Sequence, residues 1–134
     1  MPEHNSYDYA VIRVVPHVER GECINVGVIL FCRTQGFLGA LTHLDSQRLL
    51  ALAPDIDLAS VQRQLEMITL TSKGDREAGS IGQMSLSERF HWLVSPRSTI
   101  IQTSPVHCGL CSDPEPALRR LFQKLVAISV PSHG

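Results

Sequence analysis

The residue types best suited to chemistry lie close together near the N-terminus, in two apolar segments and the polar turn that joins them. They are Arg13, Arg20, Glu22, Asn25 and Gly27. Two guanidinium groups can hold a carboxylate or a phosphate through paired hydrogen bonds, and an amide adds a donor and an acceptor. The alternative is structural, because buried charges are usually paired internally. In that case Arg13 pairs with Glu22, and Asn25 satisfies a backbone group of the hairpin.

Whether these side chains meet depends on strand register, because side chains alternate between the faces of a sheet and a one-residue slip moves each to the opposite face. In one register Arg13 shares a face with Val26 and Val28. The register that we favour places on one face Tyr9, Arg13, Asn25 and Gly27. Gly27 then leaves space above the sheet for a ligand or a partner's backbone. The opposite face becomes a continuous apolar surface made of Ala10, Ile12, Val14, Val26, Val28 and Leu30.

A second group combines a histidine with two cysteines in the string His107-Cys108-Gly109-Leu110-Cys111. Thiolates separated by two residues can reach one tetrahedral zinc ion, and an imidazole can add a nitrogen ligand. No second pair with such spacing follows, and the string lacks the strand-to-helix setting of a redox dithiol. We therefore predict no metal and no cofactor. His107, Cys108 and Cys111 are weak metal candidates, and the thiols are expected to be buried.

Two further residues are candidates for binding. Arg97 stands between a proline and two hydroxyl residues, where it can hold an anion, although such segments more often cap a helix end. Trp92 lies on the far side of its helix from the apolar residues. It is either a core residue or an exposed anchor for a partner protein.

The sequence predicts an α+β fold, with an N-terminal antiparallel meander of three strands packed against about four helices. Alternating apolar residues and turn signals indicate strands at 7–15, 23–33 and 37–43. A fourth strand is expected from the C-terminal half, at 98–103. The near-continuous apolar character of the second strand indicates that helices or strands cover both of its faces.

Helices are predicted after the meander, each preceded by a side chain that can cap its first turn. The capping residues are Asp45, Asp55 or Asp57, Ser85 and Asp113. The helix after Asp113 has the clearest apolar stripe, with basic residues outside it. Residues 72–83 are predicted to form a flexible loop, and residues 104–112 an irregular connection.

Length and composition limit the class of protein. The 134 residues are enough for a single domain, 1–134, and 43% hydrophobic with 19% charged residues is typical of a globular chain. A formal net charge of −1 disfavours nucleic acid and anionic membranes as partners. The apolar run from Val26 to Cys32 is too short to span a bilayer, and no signal-peptide pattern opens the chain. We therefore expect a cytoplasmic location, with homo-oligomerisation left open.

Several strings of the sequence occur together in one known family. They are Tyr7 to Pro16, Glu19-Arg20-Gly21-Glu22, Asn25 to Leu30, Arg89 to Leu93, Pro96-Arg97-Ser98 and Asp113-Pro114. Together they resemble a bacterial family catalogued as domain of unknown function 3037. The resemblance covers nearly the whole chain and implies no reaction. It implies a protein partner, because members are often encoded beside a HipA-type kinase-like protein, and its polar signature falls on Arg13, Arg20, Glu22, Asn25 and Arg97.

Three functional hypotheses follow, and the third is a nucleic-acid binder, which the net charge disfavours and the basic residues of the last helix make possible. No glycine-rich phosphate loop, zinc-protease motif or nucleophile elbow occurs, which lowers the expectation of catalysis. The first hypothesis is a small non-catalytic interaction or regulatory module that binds a protein partner. The alternative is a phosphate-ester or nucleotide-handling enzyme in which Glu22 is an acid, base or metal ligand. Its anion clamp would consist of Arg13, Arg20 and Arg97.

Overall fold

The computed structural model describes residues 5–96 and 100–127, which form strands and helices in the predicted α+β arrangement. The strands are β1 (Asn5–Val14), β2 (Ile24–Cys32), β3 (Phe37–Thr42), β4 (Ile101–Thr103) and β5 (His107–Cys111). The α-helices are α1 (Ser46–Leu52), α2 (Leu58–Lys73), α3 (Leu86–Val94) and α4 (Pro114–Leu125). Two 3₁₀ segments span Val18–Arg20 and Arg76–Gln83.

The five strands form one antiparallel sheet in which β1 is paired along both edges. β1, β2 and β3 make the predicted meander. β4 and β5 both pair with the other edge of β1, and Ser104 fills the gap between them. The Ser104 N–H donates to the Val11 carbonyl at 2.8 Å, and its hydroxyl accepts from the Val11 N–H at 2.9 Å. β4 and β5 therefore act as one interrupted fourth strand.

The prediction of an irregular connection at 104–112 is wrong, since 107–111 are a strand. Its residues are mostly exposed and carry no apolar alternation, so local sequence gave no strand signal. The pairing partner of β5 is the N-terminal half of β1, about a hundred residues earlier in the chain. Long-range pairing, rather than local preference, makes this segment extended.

A β-bulge between β1 and β2 sets which side chains share a face. Arg13 lies opposite Asn25, as in the favoured register, whereas Ile12 lies opposite Gly27. One extra residue of β2, Val26, is inserted at this step, and it inverts the alternation beyond the bulge. Arg13 and Asn25 are thus on one face and Gly27 is on the other. The prediction that Gly27 joins the face of Arg13 is wrong for this reason.

Helices cover both faces of the sheet, as the apolar character of β2 predicted. On one face, α1, α2 and α3 enclose the larger core with Ile12, Val26 and Ile29. On the other, α4 packs mainly on β2 and β3. Val28 and Leu30 lie under α4, so the predicted single apolar face is wrong for these two residues. Each such fully buried side chain stabilises the fold by about 1.5–3 kcal/mol.

The predicted helix caps are present. The carboxylates of Asp45, Asp57 and Asp113 each accept a backbone N–H of their helix, and Ser85 with Glu88 forms a reciprocal capping box. Such a cap contributes about 1 kcal/mol. Residues 72–83, predicted as a flexible loop, hold the end of α2 and the 3₁₀ segment Arg76–Gln83. The flexibility of this segment stays a prediction.

No helix within residues 5–96 and 100–127 has the length and apolar character needed to cross a bilayer.

Candidate functional site

The two polar residues of the first turn are paired with each other. Arg20 Nε lies 3.4 Å from Glu22 Oε1, and the two side chains are 58% and 38% exposed. An exposed ion pair of this kind contributes less than about 1 kcal/mol, because water screens both charges. Glu22 therefore neutralises Arg20 rather than Arg13, contrary to the internal pairing considered from the sequence.

Asn25 has a structural partner in α4. Its Nδ2 donates a hydrogen bond to the carbonyl oxygen of Leu125 at 3.1 Å. Leu125 is the last residue of α4, where the terminal carbonyls of a helix have no partner within the helix. Asn25 thus satisfies a helix end and ties α4 to the sheet. It does not satisfy a backbone group of its own hairpin, as the structural alternative supposed.

Arg13 is half-buried beside Asn25, on the face of the sheet that carries α4. Its Nε is buried and has no hydrogen-bond partner, and no carboxylate of the described residues forms an ion pair with it. A partly desolvated cation without a partner is costly. The negative end of the α4 dipole, at Leu125, offers some compensation. Arg13 is therefore available to an anionic group from outside the described fold.

The structure does not gather the predicted binding residues at one point. Tyr9, Arg13 and Asn25 share a face of the sheet, while Arg20 and Glu22 lie in the exposed turn. The space predicted above Gly27 is filled: a Cβ there would lie 2.7 Å from the Leu41 carbonyl oxygen and 2.9 Å from Ile12 Cδ1. Gly27 serves close packing within the sheet. Arg97, the third arginine of the hypothetical anion clamp, lies outside the described residues.

The weak metal candidates are not brought together either. Cys108 and Cys111 are three residues apart in β5, so their side chains point to opposite faces of the sheet. The described residues contain no cluster of three or more histidine, cysteine or acidic side chains suited to a metal ion. A hydrogen bond to Asp8 raises the pKa of the exposed Cys108 thiol, whose predicted burial is wrong. Burial, and then the neighbouring Cys32, raises the pKa of the Cys111 thiol.

Trp92 lies at the mouth of an apolar groove of about 350 Å³ between α2, α3 and the segment Arg76–Gln83. We call this the Trp92 groove; its apolar lining is Met67, Ile68, Ala78, Ile81, Trp92 and Ile101. Trp92 and Met67 are each 43% exposed. Arg63 and Gln64 provide polar side chains along its border. Of the two alternatives drawn from the sequence, Trp92 is the exposed residue rather than the core residue.

A larger cavity, about 880 Å³, lies between α4 and the N-terminal half of β1. We call it the β1–α4 trough; its lining includes Tyr7, Ala117, Arg120, Leu121 and Lys124. Arg120 and Lys124 are one helical turn apart, and no carboxylate of the described chain forms an ion pair with either. By contrast, Arg119, which also lines the trough, is held by Glu115 at 3.1 Å.

Aromatic rings continue from this trough across the sheet. The ring centroids of Tyr7 and Tyr9 are 6.0 Å apart, and those of Tyr9 and His107 are 5.4 Å apart. His107 is exposed and Tyr9 is half-buried. Burial raises the pKa of the Tyr7 phenol, while the charge of Arg120 acts against that rise. Sequence reasoning missed Tyr7, Arg120 and Lys124 as a group, although strand alternation of Tyr7 with Tyr9 and the basic flank of α4 were visible.

Comparison with known proteins gives a family but no function. A model described as "Protein of unknown function (DUF3037)" matches residues 9–126, which is most of the chain. No curated protein and no solved structure matches the sequence.

Proposed function

We propose, starting from the fact that this chain belongs to the DUF3037 family, that it is a small non-catalytic module that binds a protein partner through the Trp92 groove. The observation that carries the proposal is the exposure of Trp92 and Met67, each 43%, beside an apolar groove. Contiguous exposed apolar surface on a folded domain is characteristic of interaction sites.

The groove has the composition of a small interface. Its floor is apolar, with Ile68 and Ala78 buried, while Arg63 and Gln64 border it. An apolar centre with a polar rim is the usual anatomy of protein–protein contacts. Tryptophan is enriched among the residues that dominate binding energy, and methionine adapts its shape to a partner.

The size of the groove favours a peptide-like element of the partner over a large cofactor. Its volume of about 350 Å³ is close to the lower end of small-molecule pockets, which span roughly 300–1,000 Å³. A helix or extended segment that inserts one or two apolar side chains would fill it. The partner that we propose is a HipA-type kinase-like protein encoded beside the gene, as the family resemblance implies.

The test is co-expression with that neighbouring gene product, followed by size-exclusion chromatography and a binding titration. We expect the wild-type chain to co-elute with the partner at micromolar concentration. Trp92→Ala should weaken binding about 30-fold, because the loss of a central anchor costs roughly 2 kcal/mol or more.

The matched control is Leu110→Ala, which removes a large apolar side chain that is 64% exposed on β5, away from the groove. This variant should bind like the wild type. Circular dichroism and a denaturation midpoint show whether each variant is folded. Separate elution of the wild-type chain, or equal loss of binding in the two variants, would contradict the proposal.

A further inference from the structure

The β1–α4 trough plays no part in the proposed protein interaction. It lies on the sheet face that carries α4, whereas the Trp92 groove lies among the helices of the opposite face. Its lining combines unpaired cations with tyrosine, and it continues toward the exposed ring of His107. Tyr7 belongs to the core under α4 and Tyr9 packs against it, whereas the exposed side chains of Arg120, Lys124 and His107 take no part in that core.

We propose that the β1–α4 trough binds nucleoside phosphates, either as free nucleotides or as single-stranded oligonucleotides. Arg120 and Lys124 hold the phosphate, and the base stacks against the rings of Tyr9 and His107. This inference is independent of the Trp92 groove.

The charges of the trough favour a phosphate. Side chains one turn apart on a helix are about 5–6 Å apart at their Cβ atoms, so Arg120 and Lys124 can contact the same or adjacent phosphate groups. Guanidinium groups bind phosphate through two parallel hydrogen bonds. Three cations line the trough. Arg119 is held by Glu115, while no described carboxylate pairs with Arg120 or Lys124, so these two charges are free.

The rings beside the trough favour a base rather than a plain anion: Tyr7 lines the trough, and Tyr9 and His107 follow it across the sheet. His107 and Tyr9 are neighbours on adjacent strands, tilted by 37° at a centroid separation of 5.4 Å. Exposed aromatic rings on a sheet, flanked by cations, are the usual platform for unpaired nucleotides. An acidic peptide would satisfy the cations but would make no use of the rings.

The length of the trough admits more than one nucleotide. Hydrogen bonds tie the residue before the N-cap of α4 and the last residue of α4 to the sheet, from Asn5 Nδ2 to the Ser112 carbonyl and from Asn25 Nδ2 to the Leu125 carbonyl. α4 therefore runs beside β1, from Asn5 toward Arg13, for about 18 Å. Stacked nucleotides rise about 3.4 Å each. Arg13, which lacks a described carboxylate partner, lies at the far end, where a later phosphate would arrive.

This proposal reverses the expectation drawn from net charge. A net charge of −1 averages over the whole surface and disfavours non-specific attraction to nucleic acid. Within the trough the balance is different, because its lining has three cations and no carboxylate.

The experiment measures fluorescence anisotropy of labelled single-stranded 12-mers of DNA and RNA with the whole chain, and calorimetric titration with the four ribonucleoside monophosphates. We expect micromolar binding. Arg120→Gln/Lys124→Gln should weaken it at least about tenfold and reduce the slope of log K against log salt by about 1.4 in the oligonucleotide arm. His107→Ala, a change at an exposed ring, should weaken binding about fivefold or more.

The matched control is Lys73→Gln/Arg76→Gln, which removes the same charge at exposed positions at the end of α2 and the start of the segment Arg76–Gln83, away from the trough. It should bind like the wild type, with an unchanged salt slope. Tight binding of monophosphates with no gain for the 12-mers identifies a free nucleotide as the ligand, and tighter binding of the 12-mers identifies an oligonucleotide; either result supports the proposal. Absence of binding in both arms, equal loss in the control, or displacement by an acidic peptide at equal concentration overturns it.

Discussion

Arg89 is the most deeply buried charged residue of the described chain, and its role is structural. Only 8% of it is exposed, and its Nη1 donates to the Gly82 carbonyl at 3.2 Å. The same guanidinium lies against Gly74, the residue that ends α2. Arg89 thus links the end of α2, the segment Arg76–Gln83 and α3. It supports the wall of the Trp92 groove from inside.

A glycine substitution tests this contact. Gly74 has a φ of 71°, and a Cβ there would lie 2.5 Å from Arg89 Nη1. We expect Gly74→Ala to lower the free energy of unfolding by more than about 2 kcal/mol, because it adds a clash to the cost of a left-handed conformation. Urea denaturation measures the change.

Gly36→Ala is the control, because Gly36 has a φ of 60° but nothing within 4 Å of its Cβ position. Its free energy of unfolding should fall only by the cost of the left-handed conformation, about 1–2 kcal/mol. An equal decrease in the free energy of unfolding of the two variants would show that Arg89 moves aside freely and that its contact with Gly74 does not stabilise the fold.

At the scale of helices and strands, the local sequence predicted those features that depend only on residues nearby in the chain. The caps at Asp45 and Ser85 act within three residues of their own helices, and both were predicted correctly. The bulge at Val26 and the strand β5 were not, because each depends on pairing with β1. The same holds for the trough, where Tyr7 and Arg120 line one cavity only because α4 docks on the sheet.

α4 supplies the prediction at this scale. The hydrogen bond from Asn25 to Leu125 is partly buried and secures the C-terminal end of the helix. We expect Asn25→Ala to reduce the free energy of unfolding by about 1–2 kcal/mol, since it leaves a helix carbonyl without a partner. Amide hydrogen exchange in the last turn of α4 should accelerate by a similar free energy.

Asn5→Ala is the comparison. Asn5 Nδ2 donates to the Ser112 carbonyl, just before the N-cap of α4, and Asn5 Oδ1 accepts from Thr34 and Gln35, all in an exposed setting where water replaces these bonds. A few tenths of a kcal/mol is expected there. If Asn25→Ala were as mild as Asn5→Ala, the C-terminal tie would not hold the helix.

At the scale of the whole molecule, β1 is the central strand of the sheet, because the other strands pair with it directly or through β2. It is hydrogen-bonded to β2 on one edge and to β4, Ser104 and β5 on the other. Ala10 and Ile12 have no exposed surface, and Val11 has 6%. Strands on both edges and the burial of these central residues oppose local opening of β1.

We therefore expect the amides of Ala10, Val11 and Ile12 to exchange hydrogen only through global unfolding. Their exchange free energies should equal the free energy of unfolding from urea denaturation. β3, whose outer edge has no strand partner within the described residues, should exchange faster at lower free energy. Exchange of β1 at the rate of β3 would show that the sheet opens between β1 and β2.

The interrupted fourth strand also determines how long the newly synthesised chain is exposed to aggregation. A ribosome releases the meander roughly 70 residues before it releases β5, a delay of several seconds at about 5–20 residues per second. Throughout that interval the N–H and C=O groups along one edge of β1 have no strand partner. An unpaired apolar edge of this kind can pair with another chain and start aggregation. β5, mostly exposed and poor in strand character, thus ends this exposure by pairing with the free edge of β1.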